Sequence, residues 1–314
     1  MILEIQTLKV SFAAILHKYG FPQTQAAEVA RVFAETTIDG VFSHGINRFP
    51  RFIGDVKEGT VKPGIVPELK NAFHALEQWD GNQGAGISNA LVCTDRSIEL
   101  ASSHGIGCVA LRNTNHWMRG GSYGWRAAEK SKLFIGWTNT MPNMPPWGGK
   151  DPRLGNNPFV LAIPHKKGHI VLDMAMSQFS YGKLEWHQRK GTDLPQSGGY
   201  NLEQELTKNP GEILDSEQIL PTGMWKGSAL ALVLDMAAAM LSGGNTTAKI
   251  GPLKSETNLS QVFIALDMEQ HMNAEQREKL VDETLAYIRT VSMRPDTSCR
   301  VSGPGLSSAL KKAC

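Results

Sequence analysis

The chain has 314 residues, 41% hydrophobic and 20% charged, enough to bury a full core in one large domain or two interleaved ones. Its 32 basic and 30 acidic residues are well mixed, leaving a net charge of +2, with no basic stripe for nucleic acid and no polybasic helix for a membrane surface. Glu4 places charge where a signal peptide needs an apolar stretch, and the longest apolar run, 229–241, is interrupted by Asp235 and too short to cross a bilayer.

The first sixty residues read as helices. Thr24 has the chemistry of an N-cap for a helix over 25–39, with Ala and Val at helical spacing and Gly40 as its stop. The middle of the chain alternates. Strands are expected at 107–112, 133–140, 159–163, 169–174 and 262–267, and helices at 87–103, 123–130, 229–241 and 275–290. This mix predicts an α/β core with a helical N-terminal layer. Residues 183–221 are polar and rich in Gly and Pro, and read as a long excursion or interface arm. Cys93, Cys108, Cys299 and Cys314 show no C-x-x-C spacing, so neither a zinc ribbon nor a disulfide framework fits, and a reducing cytoplasm is expected.

Gly81, Gly84 and Gly86 follow a segment that reads as a strand, 73–79, and open a helix, as a dinucleotide fingerprint should. The fingerprint fails because its third glycine position is Asn89 and the next strand ends in Arg112-Asn113, with no acid for a ribose. A plain helix-entry turn is the better reading.

Four constellations carry chemistry, each with a bland alternative. In Ser43-His44-Gly45-Ile46-Asn47-Arg48-Phe49-Pro50, Pro50 is tolerated only in a first helical turn, so a helix should start near Ile46 or Asn47. His44 then lies on a loop and Arg48 in the first turn, where N–H groups and a guanidinium fork suit a carboxylate. A His beside it can pass a proton to a carbonyl oxygen. The alternative is a capping turn with a surface His.

At 113–125, a strand ends, His116 appears, and glycines lead into a helix that Ser122 can cap. A His hydrogen-bonded beside packed tryptophans reads equally plainly. At 223–228, Trp225 and Lys226 precede a helix apolar nearly all round and hence expected to be buried, with exposed N–H groups that suit a pyrophosphate. An ordinary capped core helix is the alternative. Asp173 ends a strand, where it can accept a ribose hydroxyl. A metal reading is weak: His165 and His169 are four apart but no carboxylate completes a set. On this reading, His44 and His116 remain rivals for the role of acid.

Together the segments 43–52, 116–125, 145–148, 173–184 and 225–228 resemble the malate/L-lactate dehydrogenase family that lacks a Rossmann fold, from the N-terminus to about residue 290. The resemblance implies a non-Rossmann, mixed-sheet NAD-binding core of the L-sulfolactate dehydrogenase type. It implies a helical part over 1–70, a core over 71–290 and an atypical tail over 291–314. It implies hydride transfer from NADH, rather than NADPH, to the carbonyl of a small 2-oxo acid, in a homodimer whose cleft the partner completes.

By the same resemblance, His44 is the proton donor and Arg48 and His116 line the substrate pocket. The cofactor stretches correspond to His169, Ile170, Val171, Leu172, Asp173, Met174 and Ala175, and to Trp225 and Lys226. Asp173 facing the ribose would repel a 2′-phosphate. Where the family carries Pro-Gly-His-Glu as a third cofactor stretch, this chain has Gly303, Pro304 and Gly305, as an altered C-terminus would leave it.

Overall fold

A computed structural model describes residues 4–253 and 255–291. Three helices come first: α1 (Ile5–Lys18), α2 (Gln23–Ile38) and α3 (Phe49–Lys57). The helix expected over 25–39 forms, and Gly40, at φ +79°, ends it. Its start differs. Pro22 takes the N-cap position without a side-chain bond, so Thr24 lies inside the first turn. The three helices interlock through aromatic rings: Phe12 stacks on Phe49 with centroids 4.2 Å apart, and Phe33 meets Phe49 edge-on at 5.1 Å.

The helix expected from Ile46 begins only at Phe49, with Arg48 as N-cap. Residues 41–48 wind instead through tight turns, and Thr37 Oγ1 accepts the Ile46 N–H at 2.9 Å. That bond ties the His44 loop to α2 and delays the helix. Pro50 sits within the first turn, as its missing N–H requires.

The chain continues through β1 (Glu68–Phe73), β2 (Leu76–Asp80), α4 (Gly86–His104), β3 (Ile106–Asn115), α5 (Gly121–Glu129), β4 (Leu133–Thr138), β5 (Phe159–Ile163) and β6 (Ile170–Met174). The segment 73–79, read as one strand, is a hairpin, because His74 at φ 53° turns the chain back. After β6 come α6 (Tyr181–Lys190), β7 (Gly199–Tyr200), β8 (Leu206–Thr207), α7 (Pro210–Ser216), α8 (Trp225–Ser242), α9 (Thr247–Ile250), β9 (Thr257–Leu266) and α10 (Ala274–Arg289). The excursion at 183–221 therefore has elements of its own, with β7 and β8 paired, and buries Leu184, Leu194, Ile213 and Ile219 against the body.

Seven strands form one sheet in the order β1-β2-β3-β9-β4-β5-β6. Only β2 and β3 run parallel; every other neighbouring pair is antiparallel, so the sheet is mixed. Central β9 is buried along most of its length because both faces are covered. Its alternate side chains enter separate cores: Phe263 joins Val109, Leu111 and Phe134 beneath the N-terminal helices, α4 and α5. Val262 joins Ala110 and Trp137 beneath α8 on the other face.

Candidate active site

Strand register decides which segments meet. Asn115 pairs with Thr257, Thr138 with Gln261, and Phe159 with Met174, so the ends of β3, β4 and β6 and the start of β9 lie at one end of the sheet. His116 leaves β3 there. Met118, at φ 64°, turns its N–H back to donate to His116 Nδ1 at 2.9 Å. Nδ1 is therefore unprotonated, and neutral His116 carries its hydrogen on Nε2.

Gly86 is what lets this loop seat. A Cβ there would overlap the carbonyl oxygens of Asn115 and His116, so α4 can start under the loop only with glycine. Asn89, in the position of the missing third glycine, donates to Gly81 O and to Thr114 Oγ1, both at 3.0 Å, stitching the helix entry to β3. The glycine-rich turn seats the His116 loop, and its helix N-terminus is filled by protein.

The His44 loop approaches from the helical layer. The imidazoles of His44 and His116 stack with centroids 5.8 Å apart and planes 28° apart. Ser43 Oγ lies 2.9 Å from His44 Nδ1, and Gly182 of α6 abuts Ser43 so closely that a Cβ would overlap it. Burial, then Arg48 and Arg119, push His44 down to about 4. Burial and Arg48 drive His116 well below the ordinary histidine value too.

Beside the pair opens a cavity of about 310 Å³ lined by Arg48, Arg51, Asp55, Asn115, His116, Met118 and Glu256, among others. Arg48 Nη2 stands 3.7 Å from Glu256 Oε2, and its buried Nε has no partner among the described residues. Burial pushes the Glu256 carboxyl up against the pull of Arg48 and Arg51. Arg51, Asp55, Asn115 and Glu256 were not singled out by sequence reasoning. Arg48, Arg51 and Asp55 recur at helical spacing on one face of α3, a signal that was readable. Glu256 arrives from a distant segment and had no local signal. Arg119 was also missed: it is 6% exposed, ion-paired with Asp39, and stacked 4.6 Å over Trp125.

The cofactor stretches are brought together in part. Thr222 N–H donates to Met176 O at 2.8 Å and Gln178 N–H to Leu220 O at 2.7 Å, so Ala175, after β6, adjoins the start of α8. Asp173 Oδ2 accepts the Gly121 N–H at 2.8 Å, which makes Asp173, not Ser122, the group that serves the α5 N-terminus, where Gly120 is N-cap. Burial raises the Asp173 carboxyl.

His169 and Ile170 lie at the opposite end of β6. His169 Nδ1 accepts the His165 N–H at 3.1 Å, and His165 Nε2 faces Glu278 of α10 at 3.1 Å. Val171 is buried in the sheet face and Leu172 lies mid-strand, so only the Asp173–Ala175 end reaches the site.

Trp225 and Lys226 do not precede the helix but form its first turn, with Met224 as N-cap at φ 60°. The Lys226, Gly227 and Ser228 N–H groups all bond to backbone carbonyls of 222–224, so this end is not the open anion site expected. What remains for a nucleotide is side chain: Trp225 is 62% exposed beside exposed Lys226, and among the described residues the second Asp173 carboxylate oxygen accepts no hydrogen bond. An aromatic face, a cation and an acceptor at one sheet end fit a nicotinamide dinucleotide. Gly303, Pro304 and Gly305 lie outside the described residues.

α8 also departs from expectation. It begins at Trp225, and only the side facing the sheet is buried, with Asp235 Oδ1 accepting from Asn139 Nδ2 and the Thr247 N–H. Leu232, Val233, Met236 and Met240 are exposed on its outer side. Among the described residues it is the one helix long and apolar enough by composition to cross a membrane.

The family described as malate/L-lactate dehydrogenase matches residues 3–313, so the likeness continues past residue 290 into the tail. The chain is 44% identical over 306 residues to 2,3-diketo-L-gulonate reductase of Salmonella typhimurium (strain LT2), covering 97% of this chain and 92% of that one. It is 46% identical over 299 residues to the protein of the same name from Klebsiella pneumoniae (strain 342), covering 95% and 90%. Among solved structures, sulfolactate dehydrogenase from Methanocaldococcus jannaschii superposes with a TM-score of 0.86 at 32% identity, over 95% of this chain and 87% of that one. Malate dehydrogenase from Entamoeba histolytica does so with a TM-score of 0.89 at 25% identity and the same coverage. The chain belongs to the malate/L-lactate dehydrogenase family: it is an oxidoreductase of hydroxy and keto acids, and that membership implies a nicotinamide cofactor.

Proposed function

We propose that the chain reduces 2,3-diketo-L-gulonate at C2 to 3-keto-L-gulonate with NADH, as a cytoplasmic homodimer. The observation that carries this reading is that His116, stacked on His44, and the half-buried Arg48 line one cavity, in a chain 44–46% identical to relatives named for that reaction.

NADH, when bound, supplies the hydride that makes C2 an alcohol carbon. Arg48 binds the C1 carboxylate through its guanidinium fork, and that clamp sets the carbonyl's orientation. His116, its Nδ1 held by the Met118 N–H, points a fixed Nε2–H donor at the substrate. His44 is better suited to give up a proton, because the Ser43 hydroxyl beside its Nδ1 can donate or accept as the ring changes charge. One proton from His44 goes to the C2 oxygen. Asp173 takes a ribose hydroxyl and disfavours a 2′-phosphate, which supports NADH over NADPH. The exposed apolar side of α8 supports pairing with a second copy.

The test is loss of NADH absorbance with 2,3-diketo-L-gulonate as the only acceptor. Sustained turnover, well above that with pyruvate, is expected. Binding without turnover would make the chain a small-acid binder, and faster turnover of oxaloacetate would place it with the malate enzymes.

A further inference from the structure

Two loops from different layers meet at the histidine pair, and little ties one to the other. Among the described residues, every hydrogen bond of 41–48 is internal or goes to the flanking α2 and α3; none reaches the sheet or its loops. The stack of His44 on His116, at 5.8 Å between centroids, supplies no directional bond. The Arg48–Glu256 contact, at 3.7 Å, is too long for one. Gly182 abuts Ser43 without any polar bond.

Just outside both loops stands an ion pair. Asp39 closes α2 five residues before His44, Arg119 follows His116 by three, and Arg119 Nη1 donates to Asp39 Oδ2. Neither residue suits its own element. An acid at a helix C-terminus meets the negative end of the dipole, and α2 has no basic residue in its last turn to offset it. Arg119 is 6% exposed, so its charge is taken from water and depends on a partner. Such pairs contribute little net stability, because desolvation offsets the attraction; their best-attested use is to fix one arrangement over its alternatives.

The sheet side of the pair is rigid. The Arg119 guanidinium lies 4.6 Å over Trp125 of α5. A Cβ on Gly121 would meet Trp125 and Asp173 Oδ2 at 3.0 Å each, so α5 starts without slack against β6. Arg119 thus faces Asp39 from α2, Trp125 from α5 and Asp173 from β6. His44 in turn faces Arg48 from the start of α3, Arg119 and the His116 ring. Asp39 is half-exposed, so solvent screens its charge while that of buried Arg119 still reaches His44.

We propose that the Arg119–Asp39 pair clips the His44 loop onto the His116 loop, making Arg119 a positioning residue that holds the proton donor over the substrate carbonyl without touching substrate or cofactor. This rests on the reading of His44 as the donor.

The experiment compares the full chain with its Asp39→Asn, Arg119→Gln and Arg119→Lys variants and the double Asp39→Asn/Arg119→Gln variant. It reads kcat, KM, NADH affinity and hydrogen exchange of the 44–48 amides. Asp39→Asn and Arg119→Gln should each lower kcat roughly ten- to a hundred-fold, as a displaced group does, with KM and NADH affinity within about three-fold of wild type. The double variant should be no slower than the slower single one, because one contact cannot be lost twice. Arg119→Lys can still pair with Asp39 and should recover part of the loss. The 44–48 amides should exchange faster in both neutralised variants, while those of α10 stay as they are. The two should part in pH dependence. Arg119→Gln removes a charge facing His44, so the rise of kcat/KM for oxidation should move up from about pH 4 by about half a pH unit; Asp39→Asn should leave it in place. A merely structural pair would lower the unfolding midpoint but leave kcat per folded molecule and its pH profile unchanged. That result, or unchanged exchange at 44–48, would overturn the clip. A KM or NADH affinity weakened ten-fold or so in Arg119→Gln but not in Asp39→Asn would make Arg119 a ligand contact and overturn it too. If His44→Ala keeps wild-type kcat, the donor reading fails by itself, and exchange at 44–48 alone decides the clip.

Discussion

The His44 and His116 rings lie stacked with centroids 5.8 Å apart, yet their Nδ1 atoms face different partners: a hydroxyl of Ser43 for one, a backbone N–H of Met118 for the other. A hydroxyl can reverse its hydrogen bond when a ring gains a proton; a peptide N–H cannot. That asymmetry separates two residues alike in burial and in charge surroundings. His44→Ala should lower kcat by roughly two to four orders of magnitude, the usual contribution of a positioned acid or base, while NADH affinity barely changes. His116→Ala should act more on KM. Stopped-flow turnover and NADH fluorescence titration of both variants check this, and wild-type kcat in His44→Ala would transfer the proton to His116 or water.

The pH profile should be opposite in the two directions. His44 is pushed down to about 4 by burial, Arg48 and Arg119, so in the free enzyme its neutral form dominates above that value. Oxidation of the hydroxy acid needs neutral His44 as base; its kcat/KM should rise through about pH 4 and stay level above. Reduction needs the protonated form, so its kcat/KM should fall about ten-fold per unit as pH rises from roughly 5 to 8. A bound carboxylate offsets the guanidiniums, so kcat should report a higher value than kcat/KM does. A level kcat/KM for reduction over this range would assign proton delivery to another group.

Gly86→Ala should damage the site from behind. The added methyl overlaps the carbonyl oxygens of Asn115 and His116, and neither backbone segment can yield without moving the loop. A stability loss of about 1–3 kcal/mol is expected, as for overpacking a tight contact. Moving the backbone of residues 115 and 116 misplaces the bound substrate rather than removing one contact, so kcat should also fall by about two orders of magnitude. Denaturant midpoints and kcat measured together check it; wild-type values of both would mean that α4 shifts freely.

The outer side of α8 should hold two copies together. Val233 is 56% and Met240 76% exposed within an apolar stripe that also includes Met236. Met240→Glu, and more so Val233→Glu with it, should shift the protein from dimer to monomer in sedimentation and reduce cofactor affinity if the partner completes the cleft. A double variant that remains dimeric would move the interface to another face.

Local pattern was enough for much of this molecule. The periodicity of α2, α4, α8 and α10, the apolar runs of β4, β5 and β9, the failed dinucleotide fingerprint, and the His44, Arg48 and His116 motifs could all be read from neighbours in the chain, because helix and strand periods and turn chemistry are set over a few residues. Tertiary structure decided what local pattern cannot encode. Strand order alone set Thr257 beside Asn115, and so carried Glu256 to Arg48 across some two hundred residues. Register alone sent His169 to the far end of β6 and kept Asp173 near the His116 loop, since the four steps of extended chain between them span about 13 Å. In one dimension the glycine at position 86 reads as part of a helix-entry turn; only the packing of α4 under two carbonyl oxygens shows that its missing Cβ makes room for the chain itself.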